Sequence, residues 1–349
     1  MKKIVKLFLF FISFVLIINF LGIILLKNSE IGISLIGKGI PIVRAVNEEI
    51  VGIKLISYVD IIKSKFLSEN VFIELPEDSV ELEPQNIEEE NVIEEKNEFK
   101  NNYDIKSVTL DWKNEFKNNT KYSVDVEGLK REKLSFDLKK KDTEVIIYHT
   151  HTTESYTKGE NDKYEESGEF RTLDKNYNVV NVGNRIKELL KKRGVGVYHE
   201  QEIYDYPSYN LSYSKAGKAI STLTKKYKNA DVVLDIHRDA LGSGTEIYRP
   251  IVNVGGQDVA QILLVVGSNQ GGLSHSNWRE NLKFALKIQQ IANEKYPGLC
   301  RYVILRKERF NQHVAPGALI VEMGATGNTM DEVLRSADLF TNVLLEVIE

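Results

Sequence analysis

The chain has 349 residues, 42% of them apolar, and a formal charge of −4 at pH 7. That length holds two ordinary domains, or one domain and a long tether, and the apolar share suffices for a core. A single cysteine, Cys300, excludes an internal disulfide framework and a multi-cysteine zinc site, and no strongly basic stretch points to nucleic acid.

Lys2, Lys3 and Lys6 precede an almost unbroken apolar run at residues 7–26. A run of about 20 apolar residues can span a bilayer as a helix. Lysines on its amino side place that end in the cytoplasm and the rest of the chain outside. A cleaved signal peptide is the rival reading, but its apolar region is shorter, roughly 7–15 residues, and ends at a small-x-small site. Leu25-Leu26-Lys27-Asn28 offers no such site. Residues 1–28 are therefore expected to form a cytoplasmic N-terminus and a transmembrane anchor. Residues 29–73 form a juxtamembrane segment. Gly32, Gly37, Gly39 and Pro41 argue against a regular helix in its first part, and 48–66 has helical spacing suited to a stalk or a partner surface.

Composition changes at Glu74. Ten acidic residues, from Glu77 to Glu98, follow among few large apolar ones. Such a stretch cannot bury enough surface to offset its ordering entropy, and it repels itself into an extended form. Residues 74–141 are expected to be an acidic flexible linker and lead-in, with 101–141 holding a short hairpin or nothing regular.

From residue 142 to the end, strands and helices alternate. Strands are expected at 145–148, 195–198, 232–236, 246–248, 262–266, 302–305 and 318–321. Helices are expected at 178–193, 212–227, 277–296 and from a cap at Thr329 to 348. This alternation predicts an α/β domain, a mostly parallel sheet with helices on both faces.

Three of these strands run into unusual chemistry. The first runs into His149-Thr-His151-Thr-Thr-Glu154, the third into His237-Arg238-Asp239, and the last into Glu322-Met-Gly324. A charged group closing a buried strand is costly unless it is paired, hydrated or bound to metal. Zinc would explain all three, since a catalytic zinc commonly takes two His and one carboxylate and keeps a fourth position for water. His151, Glu154 and His237 meet that count. Glu322 remains as a carboxylate able to serve as the base of a zinc hydrolase.

These motifs, Tyr148-His-Thr-His151-Thr-Thr-Glu154-Ser-Tyr156, Asp235-Ile-His237-Arg-Asp-Ala240 and Val321-Glu322-Met-Gly324, resemble those of the stage II sporulation protein P family. Its members are membrane-anchored peptidoglycan hydrolases of endospore-forming bacteria, related to the zinc-dependent N-acetylmuramoyl-L-alanine amidases. The resemblance covers roughly residue 142 to the C-terminus, and the anchor matches the family's layout. It implies a zinc amidase-like fold and cleavage of the lactyl–L-alanine amide, with endopeptidase activity as well. It implies work in the septal space during engulfment, with stage II sporulation proteins D and M as partners. It further implies His151 and His237 as metal histidines and Glu322 as the catalytic glutamate. Glu154 is the expected third ligand. The related amidases take a carboxylate near the start of the helix after the first strand, which here would be Asp174.

Other side chains compete for roles. His149 shares a strand face with His151 and is an alternative to it. His199 reads as a hydrogen-bonded rim histidine, and His275 and His313 as polar-loop residues that either face solvent or touch substrate. Asp239 could orient a ligand histidine and Arg238 could hold a peptide carboxylate, or the two could form a local ion pair. Tyr206, Tyr209 and Tyr213 could line a sugar-binding groove, but tyrosine-rich loops are common and the sequence assigns them no role. Two other functions stay open on these residues. One is a metallocarboxypeptidase, which shares the His-x-x-Glu layout with a later His. The other is a non-catalytic wall-binding scaffold, against which an intact Glu322 argues.

Overall fold

The computed structural model describes residues 103–137, 143–159 and 162–348. The expected anchor, the juxtamembrane segment and the acidic stretch up to Lys100 lie outside them. Among the described residues, no helix is long and apolar enough to cross a membrane.

In chain order the strands are β1 (Asp104–Val108), β2 (Phe116–Asn118), β3 (Val145–Tyr148), β4 (Val197–His199), β5 (Val232–Asp239), β6 (Gly242–Ser243), β7 (Glu246–Val254), β8 (Gln257–Ala260), β9 (Ile262–Val266), β10 (Cys300–Leu305) and β11 (Gly317–Ala325). The helices are α1 (Val126–Arg131), α2 (Val179–Lys192), α3 (Ser212–Lys226), α4 (Trp278–Lys295) and α5 (Met330–Ile348). The main sheet has seven strands in the order β2-β10-β9-β11-β5-β3-β4. Every pairing in it is parallel except β9 with β11. A second sheet joins β1, β6 and β8 to β7.

The helix boundaries follow from local chemistry. Asn178 caps α2, its side chain accepting from the Val180 N–H. Val179, Val182, Ile186 and Leu190 fall on one buried face of that helix. Gly194, at φ 81°, turns the chain out while the Val195 N–H returns to the Leu190 carbonyl. At the start of α5 the Glu332 carboxylate accepts from the Thr329 N–H at 3.2 Å, half of a capping box.

Strand alternation sorts the core into two faces. Val145 and Ile147 of β3, Val232, Leu234 and Ile236 of β5, and Leu319, Val321 and Met323 of β11 pack with α2, α4 and α5. Ile146 and Tyr148, Val233 and Ala318 face the other way, against Ala216, Ile220 and Leu223 of α3. The expected helices on both faces are present, but their cover is unequal.

The lead-in needs correction. Residues 101–141 were expected outside the domain, yet β1 pairs with β7 and β2 extends the main sheet beside β10. Leu129 and Phe136 are buried in the larger core, with the Phe136 ring edge-on to Phe284 at 5.3 Å. β1 and β2 are short edge strands of polar sequence, DIKSV and FKN, and carry no periodic signal of their own. β7 also runs six residues beyond its expected end at Tyr248 because β8 pairs with the extension.

Candidate active site

The centre lies where β5 and β11 outrun β3. The last partner of β3 is Tyr148 opposite Asp235, while His237 and Glu322 stand opposite each other two residues further on. Both were expected just past strand ends, but both lie inside strands, because β5 and β11 support each other after β3 has left. Asp235, His237 and Glu322 alternate with core residues, so they share the sheet face on which α3 is the only α-helix among the described residues. Just beyond Glu322 the register shifts by one residue, and Gly324 takes φ 69°. This bulge bends β11 beside the centre.

The loop after β3 is held by its threonines. The Thr150 N–H and hydroxyl donate to the two Asp235 oxygens at 2.8 and 2.6 Å. The Thr152 hydroxyl donates to the Glu202 carbonyl at 2.9 Å, and the Thr153 hydroxyl donates to Asp205 at 2.7 Å. Arg171 donates to the same Asp205 oxygen at 2.5 Å. The Glu154 N–H closes a turn on the His151 carbonyl at 3.2 Å. Each threonine therefore fixes one step of the loop, and His151 and Glu154 end up on the sheet face that carries His237.

His237 sits between two carboxylates. Its Nε2 lies 2.9 Å from Asp235 Oδ1, and its Nδ1 lies 3.3 Å from Glu154 Oε2. Burial alone would lower its pKa, but the two carboxylates outweigh burial and hold it well above the usual histidine value. The same contacts act on Glu154, where burial is again opposed by His237 and the carboxyl falls to about 2. The His151 ring stacks on Tyr209 at 4.3 Å and stands edge-on to His237 at 5.2 Å. Burial lowers its pKa to about 4, and its buried Nδ1 has no hydrogen-bond partner. Glu322 is pushed up to about 8, by burial first and then by Asp239 and Glu154 against the pull of His237 and Arg301. Its Oε2 is buried and unpartnered.

The donor chemistry suits zinc. Two carboxylates around one imidazolium leave a net negative charge, which a divalent cation replacing the proton would neutralise. Glu154 Oε2 and His237 Nδ1 already face each other, and Asp235 would then hold the far nitrogen of His237, as outer carboxylates do for metal-bound histidines. His151 has a nitrogen with no hydrogen bond to give up. Among the described residues, no three such side chains close on one ion position as they stand. Asp174, the alternative third ligand, is occupied in the turn before α2, where its carboxylate accepts from the backbone and side-chain amides of Asn176.

Several expectations change. His149 is not beside His151. Its Nδ1 donates to the Ile236 carbonyl at 2.9 Å, which leaves Nε2 to accept from His199 Nε2 at 2.8 Å. Gly183 of α2 makes room for this pair, since a Cβ there would lie 2.6 Å from His199 Nε2. Asp239 orients no histidine and instead pairs with the buried Arg301 at 2.7 Å. Arg238 is buried and spends its guanidinium on the Ser155 and Phe170 carbonyls and the Thr326 hydroxyl, so it is not free for a peptide carboxylate. His275 is 2% exposed rather than solvent-facing. Sequence reasoning missed the part played by Asp235. Its signal was its position two residues before His237, on the same strand face.

The protein is a mixed α/β domain that brings His151, His237, Glu154 and Glu322 together on one sheet face. The sequence matches the Stage II sporulation protein P (SpoIIP) family over residues 43–345, and the chain belongs to that family. It is 28% identical over 217 residues to Stage II sporulation protein P of Bacillus subtilis (strain 168), a match covering 58% of this chain and 50% of that protein. The chain therefore spans about half the length of that relative. Among solved structures, it is similar to the N-acetylmuramoyl-L-alanine amidase AmiC2 of Nostoc punctiforme, with TM-score 0.31 and 13% identity over 58% of this chain and 95% of that one. It is also similar to the N-acetylmuramoyl-L-alanine amidase from Clostridium difficile 630, with TM-score 0.32 and 14% identity over 60% and 96%.

Proposed function

We propose that this chain is a membrane-anchored, zinc-dependent peptidoglycan hydrolase of sporulation. It cleaves the amide between the N-acetylmuramoyl lactyl group and L-alanine, and cuts within stem peptides as a second activity. The observation that carries this reading is the pairing of His237, already faced by Glu154, with Glu322 in register on the next strand. Family membership supports the setting: septal wall degradation and forespore engulfment, outside the membrane, with stage II sporulation proteins D and M as partners.

His151, Glu154 and His237 would hold the zinc. Bound there, zinc would supply Lewis acidity toward the scissile carbonyl and toward a water molecule. Glu322 takes the proton from the attacking water and delivers it to the leaving nitrogen, so that one water and one amide become a carboxylate and an ammonium ion. Asp235 keeps the His237 ring in place, and Thr150 in turn orients Asp235. Tyr209 and Tyr213 flank His151 and limit its exposure to water.

The test uses the full chain, purified in detergent without added metal. Zinc is counted per chain, purified peptidoglycan is digested, and the fragments are identified by mass for wild type, His237→Ala and Glu322→Gln. The reading expects free stem peptides, about one zinc per chain in wild type and Glu322→Gln, and zinc lost in His237→Ala. Single C-terminal amino acids would indicate a carboxypeptidase instead. Intact peptidoglycan and no zinc in the wild type would overturn the reading.

A further inference from the structure

A groove of about 480 Å³ runs along α3, opposite the segment that precedes β11. Lys218 and Lys225, two turns apart on α3, line one side, and Arg309 and His313 line the other. No carboxylate lines it. Among the described residues neither lysine makes an ion pair, and the one partner of the Arg309 side chain is the Ser274 carbonyl at 3.2 Å. Unpaired cations facing a common concavity raise the local concentration of anions.

The buried atoms agree with this. Arg309 Nε, His313 Nδ1 and both ring nitrogens of His275, which lies behind them, are buried without hydrogen-bond partners. Donors left unpaired in this way are costly unless a ligand completes them. Burial, then His313 and Arg309, lower the His275 pKa to about 4.

The groove adjoins the proposed centre through one side chain: Tyr213 lines it and stands edge-on to the His151 ring at 5.5 Å. A substrate whose amide sits at the centre has two sides, a sugar acid and a peptide. The peptide is the side that carries carboxylates.

We propose that this groove is the peptide subsite of the centre, where Lys218, Lys225 and Arg309 hold the carboxylates of an acidic stem peptide. The assignment rests on reading the centre as an amide hydrolase. Its test is built so that either can fail without the other.

The full chain would be assayed on a synthetic muramoyl peptide with free carboxylates and on the same compound with every carboxylate converted to carboxamide. Wild type would be compared with Lys218→Gln/Lys225→Gln, which changes two exposed residues and spares the core. The expected result is a rise in KM of about tenfold on the acidic substrate, with kcat unchanged and the carboxamide substrate unaffected. Moderate salt should reproduce the effect in wild type. Equal KM values on the acidic substrate, or equal losses on both substrates, would overturn the subsite. If the wild type cleaves neither compound, the hydrolase reading fails by itself. Calorimetric titration of the free acidic peptide still decides the groove: binding lost in the double variant supports it, and unchanged binding sinks it. If inorganic phosphate displaces the peptide at equal concentration, the groove is a phosphate site and the peptide assignment falls.

Discussion

The two faces of the main sheet share the same strands and differ in what covers them. One face carries α2, α4 and α5 over an unbroken apolar layer. The other, among the described residues, carries α3 as its one α-helix, over β3, β5 and the start of β11, and leaves the later parts of β5 and β11 to Asp235, His237 and Glu322. The difference is one residue of strand period. Ile236 packs in the core and His237 faces the open side; Val321 packs in the core and Glu322 faces the open side. On the proposed function, stability and chemistry are separated within one sheet, and substitutions on the two faces should fail in different ways.

The sharpest break is Glu322→Gln on the open face. It should lower kcat/KM on peptidoglycan by about 10³-fold while bound zinc and the unfolding midpoint stay near wild type. A loss of stability equal to that of a core change would end the separation of the faces. On the covered face, Phe340→Ala empties a fully buried site in α5. It should cost about 4 kcal/mol in urea unfolding, with activity per folded molecule preserved. Asp235→Asn tests the boundary between the two roles. The residue is buried like a core side chain but accepts from Thr150 and lies 2.9 Å from His237 Nε2 as an ion pair. Zinc should be held 10- to 100-fold more weakly, read from competition with a chelator, and unchanged zinc affinity would remove Asp235 from the site.

The smallest expected effect concerns acid stability. His199 faces His149 from the end of β3 and the cations Lys175 and Lys187 from the neighbourhood of α2. Burial, then His149, holds its pKa at about 2, against an ordinary value of 6.5. The unfolded chain therefore binds a proton below pH 6.5 that the folded chain refuses. Stability is complete above that value and falls as the pH drops below it, by up to about 1.4 kcal/mol per pH unit. His199→Gln should flatten the slope between pH 6.5 and 5 in urea unfolding. An unchanged slope would mean that the His149–His199 pair is not what limits the fold in acid.

Much of the centre was legible because its residues break apolar strands. A histidine after Val-Val-Leu-Asp-Ile and a glutamate after Ala-Leu-Ile-Val stand out against their surroundings, and burial makes such breaks costly without a partner. Asp235 was harder to read, since an aspartate in a strand has many uses until its neighbour across the sheet is known. Arg301 and Asp205 were not legible at all. Their partners, Asp239 and Thr153, are 62 and 52 residues away, and no local pattern marks such pairings. The same holds for β2, whose three residues form a strand only because β10 offers an edge.

The sequence by itself therefore determined the α/β alternation, the caps of α2 and α5, and the residue types at the ends of the reactive motifs. These depend on period, side-chain chemistry and backbone hydrogen bonding within a few residues. Only the tertiary structure decided which histidine faces Glu154, which carboxylate steadies it, and that His149 turns away to His199. Those choices depend on strand register and on how far each strand outruns its neighbour, and both are properties of the whole sheet.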